Sequence, residues 1–519
     1  MALNAIFSIT CPCCGAKNPV YSATSVIIVC EYCNSTLERY GEEAVDTGKK
    51  SALLEDYSPL QIHTSGVYHG EPFTIIGLLQ IQYSRGFWNE WYILFNNGKT
   101  AWLADFSGQY VITMLDKPLA KPIAFKNLVA GQTFVSYGKS TYIASDVRRA
   151  KRIKANARGE LPFKLKEDED YLVADLRCRE LFMTLDYSEG EHNPQVYTGK
   201  AVELKNLRCQ NLRSDTQIME TAGHLKGERA ALKCPNCGYS LNWYPGVAHN
   251  IICPSCHSEV VMDEKKPKVL RPHTMREMQS KLATLKLGEE ATINGTRWTI
   301  IGFVRVQETV ARDAFNHING QRNSVTPESA FWHEYLLYNL GKGFIWLVET
   351  SDNEWSISHS ASVWPAVTSN NTPLVSGSSS KTLRRLYDYG GIVSYAAGAF
   401  YWRIEPQDVT YYQDYQYDKG KMSAERTREE LNWSISKPVT GQELAQWFKK
   451  PELAKAVSKS RHTNPNRGIA ILILVIFAIV NLPAAIQAMG SEESLIGLAV
   501  ISFIVYSIIW APFKENDDD

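Results

Sequence analysis

The chain has 519 residues, too many for one ordinary core, so two or three domains are expected. Lys plus Arg and Asp plus Glu both number 55, and a formal net charge of zero argues against a general nucleic-acid binder, which carries a basic excess. Eight of the eleven cysteines fall in two quartets at metal-ligand spacing, which points to a reducing compartment rather than a disulfide framework.

The N-terminal stretch has no basic region followed by a long apolar run and does not read as a secretory signal. The first quartet follows: Cys11-x2-Cys14, fifteen residues, then Cys30-x2-Cys33. Each CxxC puts two sulfurs on one tight turn, and two such turns close a tetrahedral shell around zinc. Pro12 and Gly15 suit the first turn, and Cys13 reads as a spare thiol. We read 1–45 as zinc ribbon 1.

Residues 51–215 read as β module 1. The run 73–83 is rich in β-branched residues, and 90–95 and 100–104 flank Asn97-Gly98, a hairpin turn signal. Shorter strands are expected at 133–137 and 141–144. Ribbon 2, at 230–262, holds Cys234-x2-Cys237 and Cys253-x2-Cys256, again fifteen residues apart, with His257 directly after the last ligand. Four thiolates leave no open position for substrate, so the expected cofactor is zinc at two structural sites. β module 2 follows at 280–435. Many short strands separated by turn residues suggest a sandwich or partly closed barrel. Helix is sparse before the C-terminal runs, with 423–432 and 440–460 the better candidates.

The modules are internal repeats. Thr-Ile-Ile-Gly stands at 74–77 and 299–302, Phe-Trp-x-Glu-(Trp/Tyr) at 87–91 and 331–335, Trp-Leu at 102–103 and 346–347, and Val-Ser-Tyr at 135–137 and 393–395. The offset grows from 223 at the cysteines to 225, 244 and 258, which places insertions in polar stretches of the second copy at 308–329 and 369–381. Glu90 and Glu334 are the main shared ionisable pair. They read as hairpin carboxylates rather than general bases, because no partnered His, Ser or Asp recurs beside them and Asn89 faces His333 in the alignment. Trp88, Trp91, Trp102, Trp332, Tyr335 and Trp346 read as β-core residues rather than a base-stacking platform. The basic cluster Arg148, Arg149, Lys151, Arg152 and Lys154 reads as a solvated loop.

After a helical, basic linker at 440–467 come two apolar runs, 468–489 and 495–513, joined by an acidic loop and followed by an acidic tail at 514–519. At helical rise they span roughly 33 and 28 Å against about 30 Å of hydrocarbon. A two-helix transmembrane hairpin over 468–513 is therefore expected. Lys449, Lys450, Lys455, Lys459, Arg461 and Arg467 before it predict an inner-membrane, multi-pass protein with both ends cytoplasmic.

Zinc ribbon, Thr-Ile-Ile-Gly strand, aromatic-Glu hairpin and Trp-Leu return strand together resemble a bacterial family catalogued as domain of unknown function 4178, present as two tandem copies from about residue 10 to 432. The resemblance implies ribbon-plus-β modules in a setting of membrane stress and polyamine pathways, with no catalytic residues to carry over. At Asn34 the family commonly has glycine.

The fold expected is thus mainly β, two tandem ribbon-plus-β modules before a transmembrane hairpin. The function expected is a membrane-anchored, cytoplasm-facing binding or scaffold protein with a protein partner, in envelope maintenance or membrane stress. The alternatives are a membrane-tethered nucleic-acid binder, testable by salt-dependent binding, and an enzyme using Glu90 or Glu334, for which no phosphate loop, HExxH or GxSxG motif is present.

Overall fold

Each repeat is built of antiparallel strands paired in the same order, and in the second copy they close into a ring. The computed structural model describes residues 5–455 apart from 52–57, 84–85, 107–108, 152–155, 165–169, 215, 219–232, 240, 242–249, 257, 264–265, 272–282, 323, 340–341, 368–372, 376–380 and 403. In the second copy eight strands pair in the order Arg385–Phe400, Val409–Tyr417, Gly420–Arg426, Leu431–Val439, Trp355–Ser360, Gly343–Thr350, Pro327–Asn339 and Thr296–Thr309. Arg385–Phe400 pairs with both Val409–Tyr417 and Thr296–Thr309, so the ring closes. The expected sandwich or partly closed barrel is a closed eight-stranded barrel in this copy.

The first copy repeats the order, except that its seam is shared by two strands. Ser140–Lys151 pairs with Asp170–Cys178, and Asn156–Leu161 pairs with Glu71–Tyr83. The Thr-Ile-Ile-Gly motif marks the seam. Its glycine, Gly77 or Gly302, stands opposite a second glycine, Gly159 or Gly398, and a register irregularity precedes it on the hairpin side in both copies. Each ribbon is stitched to its own barrel there: Ile27–Val29 pairs with Asn156–Leu161, and Asn250–Ile252 with the end of Arg385–Phe400.

Three expectations need correction. The segment 423–432 is not helical; it spans the hairpin of Gly420–Arg426 and Leu431–Val439. Its residues alternate, with Met422 and Ala424 in one apolar cluster while Ser423 and Glu425 face the other way, a period of two that belongs to strands. The Val-Ser-Tyr match is coincidental. Residues 135–137 lie in a separate hairpin, Phe134–Tyr137 with Ser140–Lys151, whereas 393–395 lie inside the seam strand. Seam glycines and later residues align at an offset of 239 (398 − 159), so the second copy is five residues shorter here (244 − 239), not fourteen longer.

The transmembrane hairpin is the third. Among the described residues no helix is long and apolar enough to cross a membrane. The α-helices Ala311–Ile318 and Gly441–Phe448 have 8 residues each, about 12 Å of rise against about 30 Å of hydrocarbon. The expected spans at 468–513 lie outside the described residues. The fold is mainly β, and the multi-pass inner-membrane placement falls with the hairpin. Within 440–460, Thr440 caps Gly441–Phe448 through a reciprocal bond with Glu443, and Lys449 ends the helix at φ 55°.

The two copies meet beside a helix that the second copy adds. The helix Ala311–Ile318, inside the expected 308–329 insertion, packs on Ile392, Val409 and Tyr411 of its own barrel. Beside it Arg426, 6% exposed, donates from Nε to Ala130 O at 2.9 Å and from Nη2 to Asn319 Oδ1 at 2.6 Å, with its guanidinium over Phe315. Trp364 lies 4.6 Å from the Arg177 guanidinium of the first copy, and Ile143 joins the cluster of Tyr415, Met422 and Trp433.

Candidate metal centres

The cysteine turns share one backbone pattern. The amides of Cys11, Cys30, Cys234 and Cys253 each donate to the carbonyl five residues on, at 2.8 to 3.0 Å. The chain reverses through a left-handed residue, Gly15 at φ 76° and Gly238 at φ 75°. Asn34 holds the equivalent place at φ 58°, and Asn is the non-glycine residue that best tolerates it. The departure noted at this position therefore costs the turn little.

These turns bring all four sulfurs of each quartet within 4.8 Å of one another. Cys11 and Cys33 are 3.7 Å apart, Cys14 and Cys30 3.7 Å, Cys234 and Cys256 3.5 Å, and Cys237 and Cys253 3.7 Å. A disulfide needs about 2.05 Å. Four sulfurs at about 2.3 Å from a central ion in a tetrahedron lie about 3.8 Å from each other, so the donor set fits a four-coordinate metal. Cys11, Cys30, Cys234, Cys253 and Cys256 are buried, and they pack with Leu37 in one ribbon and with Leu241, Ile251 and Val260 in the other. Cys13 is exposed. Asn236, its counterpart, donates to Ser258 Oγ at 2.9 Å, which in turn sits 3.3 Å from Cys256 Sγ. His257 lies outside the described residues.

The first ribbon is tied to its barrel by a carboxylate that the sequence reading missed. Glu160, 2% exposed and next to the seam glycine, accepts from Tyr21 N at 2.6 Å, Ser22 N at 3.0 Å and Ser25 Oγ at 2.5 Å. Burial pushes its carboxyl above the usual range against those three donors. The second copy has Ala399 at this place, so the repeat pattern gave no signal for it.

The strand-hairpin motif builds the barrel interior. Trp88 Nε1 donates to Glu90 Oε1 at 2.9 Å, and Trp332 Nε1 donates to Glu334 Oε1 at 2.7 Å. Burial raises the Glu334 pKa, partly offset by that indole bond. Glu334 faces inward, because it and Glu425, on strands half a ring apart, feel each other's charge. Trp332 reaches Tyr389 and Tyr412 at 5.6 Å, and those tyrosines stack at 4.9 Å. Trp102 stacks on Phe163 in the first copy, and Trp346 contacts Trp402 in the second. Trp91 and Tyr335 are buried on the opposite, outer side. The six aromatics are therefore core, as expected, and are divided between two faces.

Two further carboxylates repeat inside the barrels at an offset of 239, unnoticed in the sequence. Thr184 Oγ1 donates to Asp175 Oδ1 at 2.7 Å, and Ser423 Oγ donates to Asp414 Oδ1 at 2.6 Å. Asp186 and Glu425 occupy the third matched place. His333 belongs elsewhere. Its Nδ1 lies 3.1 Å from Glu349 Oε2, which also accepts from Tyr335 OH at 2.7 Å, on the outer face. In the basic cluster, Arg148 is no solvated residue: it bonds Asp146 and reaches Glu430 of the second copy at 3.3 Å. Arg149 pairs with Glu191 at 3.3 Å, and Arg152 and Lys154 lie outside the described residues.

A family model for a domain of unknown function, DUF4178, matches at residues 61–204 and 286–441. The chain belongs to the DUF4178 family. No curated protein matches it. Both DUF4178 matches begin past the cysteine quartets, so they cover the two barrels and leave the ribbons outside. The two copies inferred from sequence repeats are the two DUF4178 domains, each extended by a ribbon strand added at its seam.

Proposed function

We propose that this protein is a binding or scaffold protein: two DUF4178 barrels, each braced by a structural zinc ribbon, that present surfaces to a protein partner and carry no chemistry of their own. Zinc is the metal proposed because four thiolates at tetrahedral separations suit it and close its coordination shell. Cys11, Cys14, Cys30 and Cys33 would hold one ion, and Cys234, Cys237, Cys253 and Cys256 the other. Bound zinc would supply fold stability rather than a reactive water.

The observation that carries the reading is the indole–carboxylate pair. Glu90 and Glu334, the shared candidates for catalysis, are turned into the barrels and bonded to the tryptophan two residues before them. Catalysis needs convergent polar groups that a substrate can reach. The test is a Glu90→Gln, Glu334→Gln double variant of the full chain, since Gln still accepts the indole bond. It is expected to fold, bind zinc and capture the same partners in crosslinking with mass spectrometry as the unaltered protein. A folded, zinc-loaded double variant that keeps its partners yet loses all cellular function overturns the reading in favour of an enzyme.

A further inference from the structure

The interior of the second barrel places acidic groups from facing strands in one chamber. Glu334 comes from Pro327–Asn339, Asp414 from Val409–Tyr417 and Glu425 from Gly420–Arg426. Asp414 has a cation: Lys421 Nζ donates to it at 2.7 Å and to Tyr387 OH at 3.1 Å. Glu334 and Glu425 differ. Among the described residues Glu334 accepts from the Trp332 indole and Glu425 from Ser434 Oγ at 2.5 Å, and neither meets a positive charge. The titratable groups facing them are Tyr389 from the seam strand, Tyr412 beside Asp414, and Glu430 from the turn before Leu431–Val439. Strands Thr296–Thr309 and Gly343–Thr350 contribute Val304, Val306, Trp346 and Val348, which are uncharged.

Glu334 and Glu425 are half-buried, and two carboxylates turned into one barrel interior without a counter-charge are more stable when protons neutralise them. Burial raises both, Glu425 to about 7, with Glu334 and Asp414 adding to the shift. The strand that carries Glu425 has a second duty. Its next residue, Arg426, points outward and holds Ala130 O and Asn319 at the contact between copies, and Met422 and Ala424 pack there with Ile143. The lumen and the docking face are two sides of the same seven residues.

We propose that the Glu334–Glu425 pair is a proton-sensitive latch: with the pair neutral the second barrel is tight and the first copy stays docked, and ionisation of the pair loosens Gly420–Arg426 and with it the contact between the copies. The direction follows from linkage. An unfolded glutamate titrates near about 4.3, so the stabilisation by protons is complete below that pH and is lost as pH rises through the folded value near neutrality. In the first copy Asp175, the counterpart of Asp414, is raised to about 7 by burial and by Asp146, while Arg148 and Arg177 oppose the shift.

The experiment follows thermal unfolding and hydrogen exchange of the full, zinc-loaded chain from about pH 5 to about pH 9, the range that brackets the titration. The unaltered protein is expected to lose about 4 °C or more in Tm across neutrality. Exchange at 420–426 and at 128–132 should rise together. Glu425→Gln and Glu334→Gln, which copy the neutral acid, should flatten the fall and keep the contact protected at high pH. Infrared spectroscopy of the unaltered protein gives a reading independent of the variants: a buried carboxylic acid band present at low pH and lost near neutrality. A Tm that does not change with pH, an undiminished fall in both variants, or no acid band below neutrality each overturns the latch.

Discussion

Gly77 stands opposite Gly159 across the seam of the first barrel, as Gly302 stands opposite Gly398 in the second. A Cβ on Gly77 would sit 1.9 Å from Glu160 O, and one on Gly398 2.3 Å from Ile301 O. The strands cross there with no room for a side chain, and the same carbonyl belongs to the residue that anchors the first ribbon.

Gly77→Ala is expected to cost about 3 kcal/mol or more, the upper range of overpacking, because backbone rather than a movable side chain blocks the methyl. Urea unfolding of the full chain measures it. Gly98, at φ 80° with open space around it, is the control: Gly98→Ala should cost about 1 kcal/mol through backbone strain alone. Equal losses at the two sites would mean that the seam is not closely crossed.

The repeat made much of this fold legible. Asn97-Gly98 between apolar runs marked the hairpin, and the turn lies between Gly86–Phe95 and Thr100–Phe106. Thr-Ile-Ile-Gly marked a shared strand, though not why its glycine is needed, since the opposing glycine is 82 residues away (159 − 77). Barrel closure was hidden for the same reason: it depends on one strand pairing twice across long separations, which local alternation does not encode. The matched Asp175 and Asp414 escaped notice because the residues around them diverge, Arg177 standing where the second copy has Gln416. The apolar runs at 468–513 invited a membrane reading on hydropathy alone, and no described helix supports it.

Metal analysis of the purified chain should find two zinc ions. Cys30→Ser with Cys33→Ser should remove one, since each quartet is a separate centre on its own ribbon. Cys13→Ser should remove none, because that side chain is exposed and its counterpart Asn236 is not a thiol. Chelation should loosen the ribbon strand Ile27–Val29 from the seam strand Asn156–Leu161, seen as faster amide exchange in both. Unchanged zinc content in the double variant would refute the first centre.

Arg426→Ala removes a buried guanidinium that satisfies Ala130 O of the first copy and Asn319 Oδ1 of its own copy. Leaving buried acceptors without donors costs about 1–3 kcal/mol each. The barrels themselves lose no strand pairing, so the expected signature is a change in cooperativity: one calorimetric transition for the unaltered chain, two for the variant. Arg426→Lys keeps a charge but not the fork that serves two acceptors and lies over Phe315, and should rescue only partly. A single, merely shifted transition would mean that the copies are held mainly by the cluster around Trp364 and Trp433.

The indole bond to Glu334 has a pH signature of its own. Hydrogen bonding to a carboxylate favours its charged form, and the Trp332 donor works against the burial that raises Glu334. Trp332→Phe should therefore cost more at high pH than at low pH, about 1–3 kcal/mol where the carboxylate is ionised. Phe keeps most of the packing against Tyr389 and Tyr412, so lost volume contributes little to the difference between pH values. A double-mutant cycle with Glu334→Gln isolates the bond, because Gln accepts it without a charge. Coupling between the two positions should grow as pH rises and Glu334 ionises. Coupling that is flat with pH would mean that Glu334 stays in one protonation state throughout, and the bond would then serve packing alone.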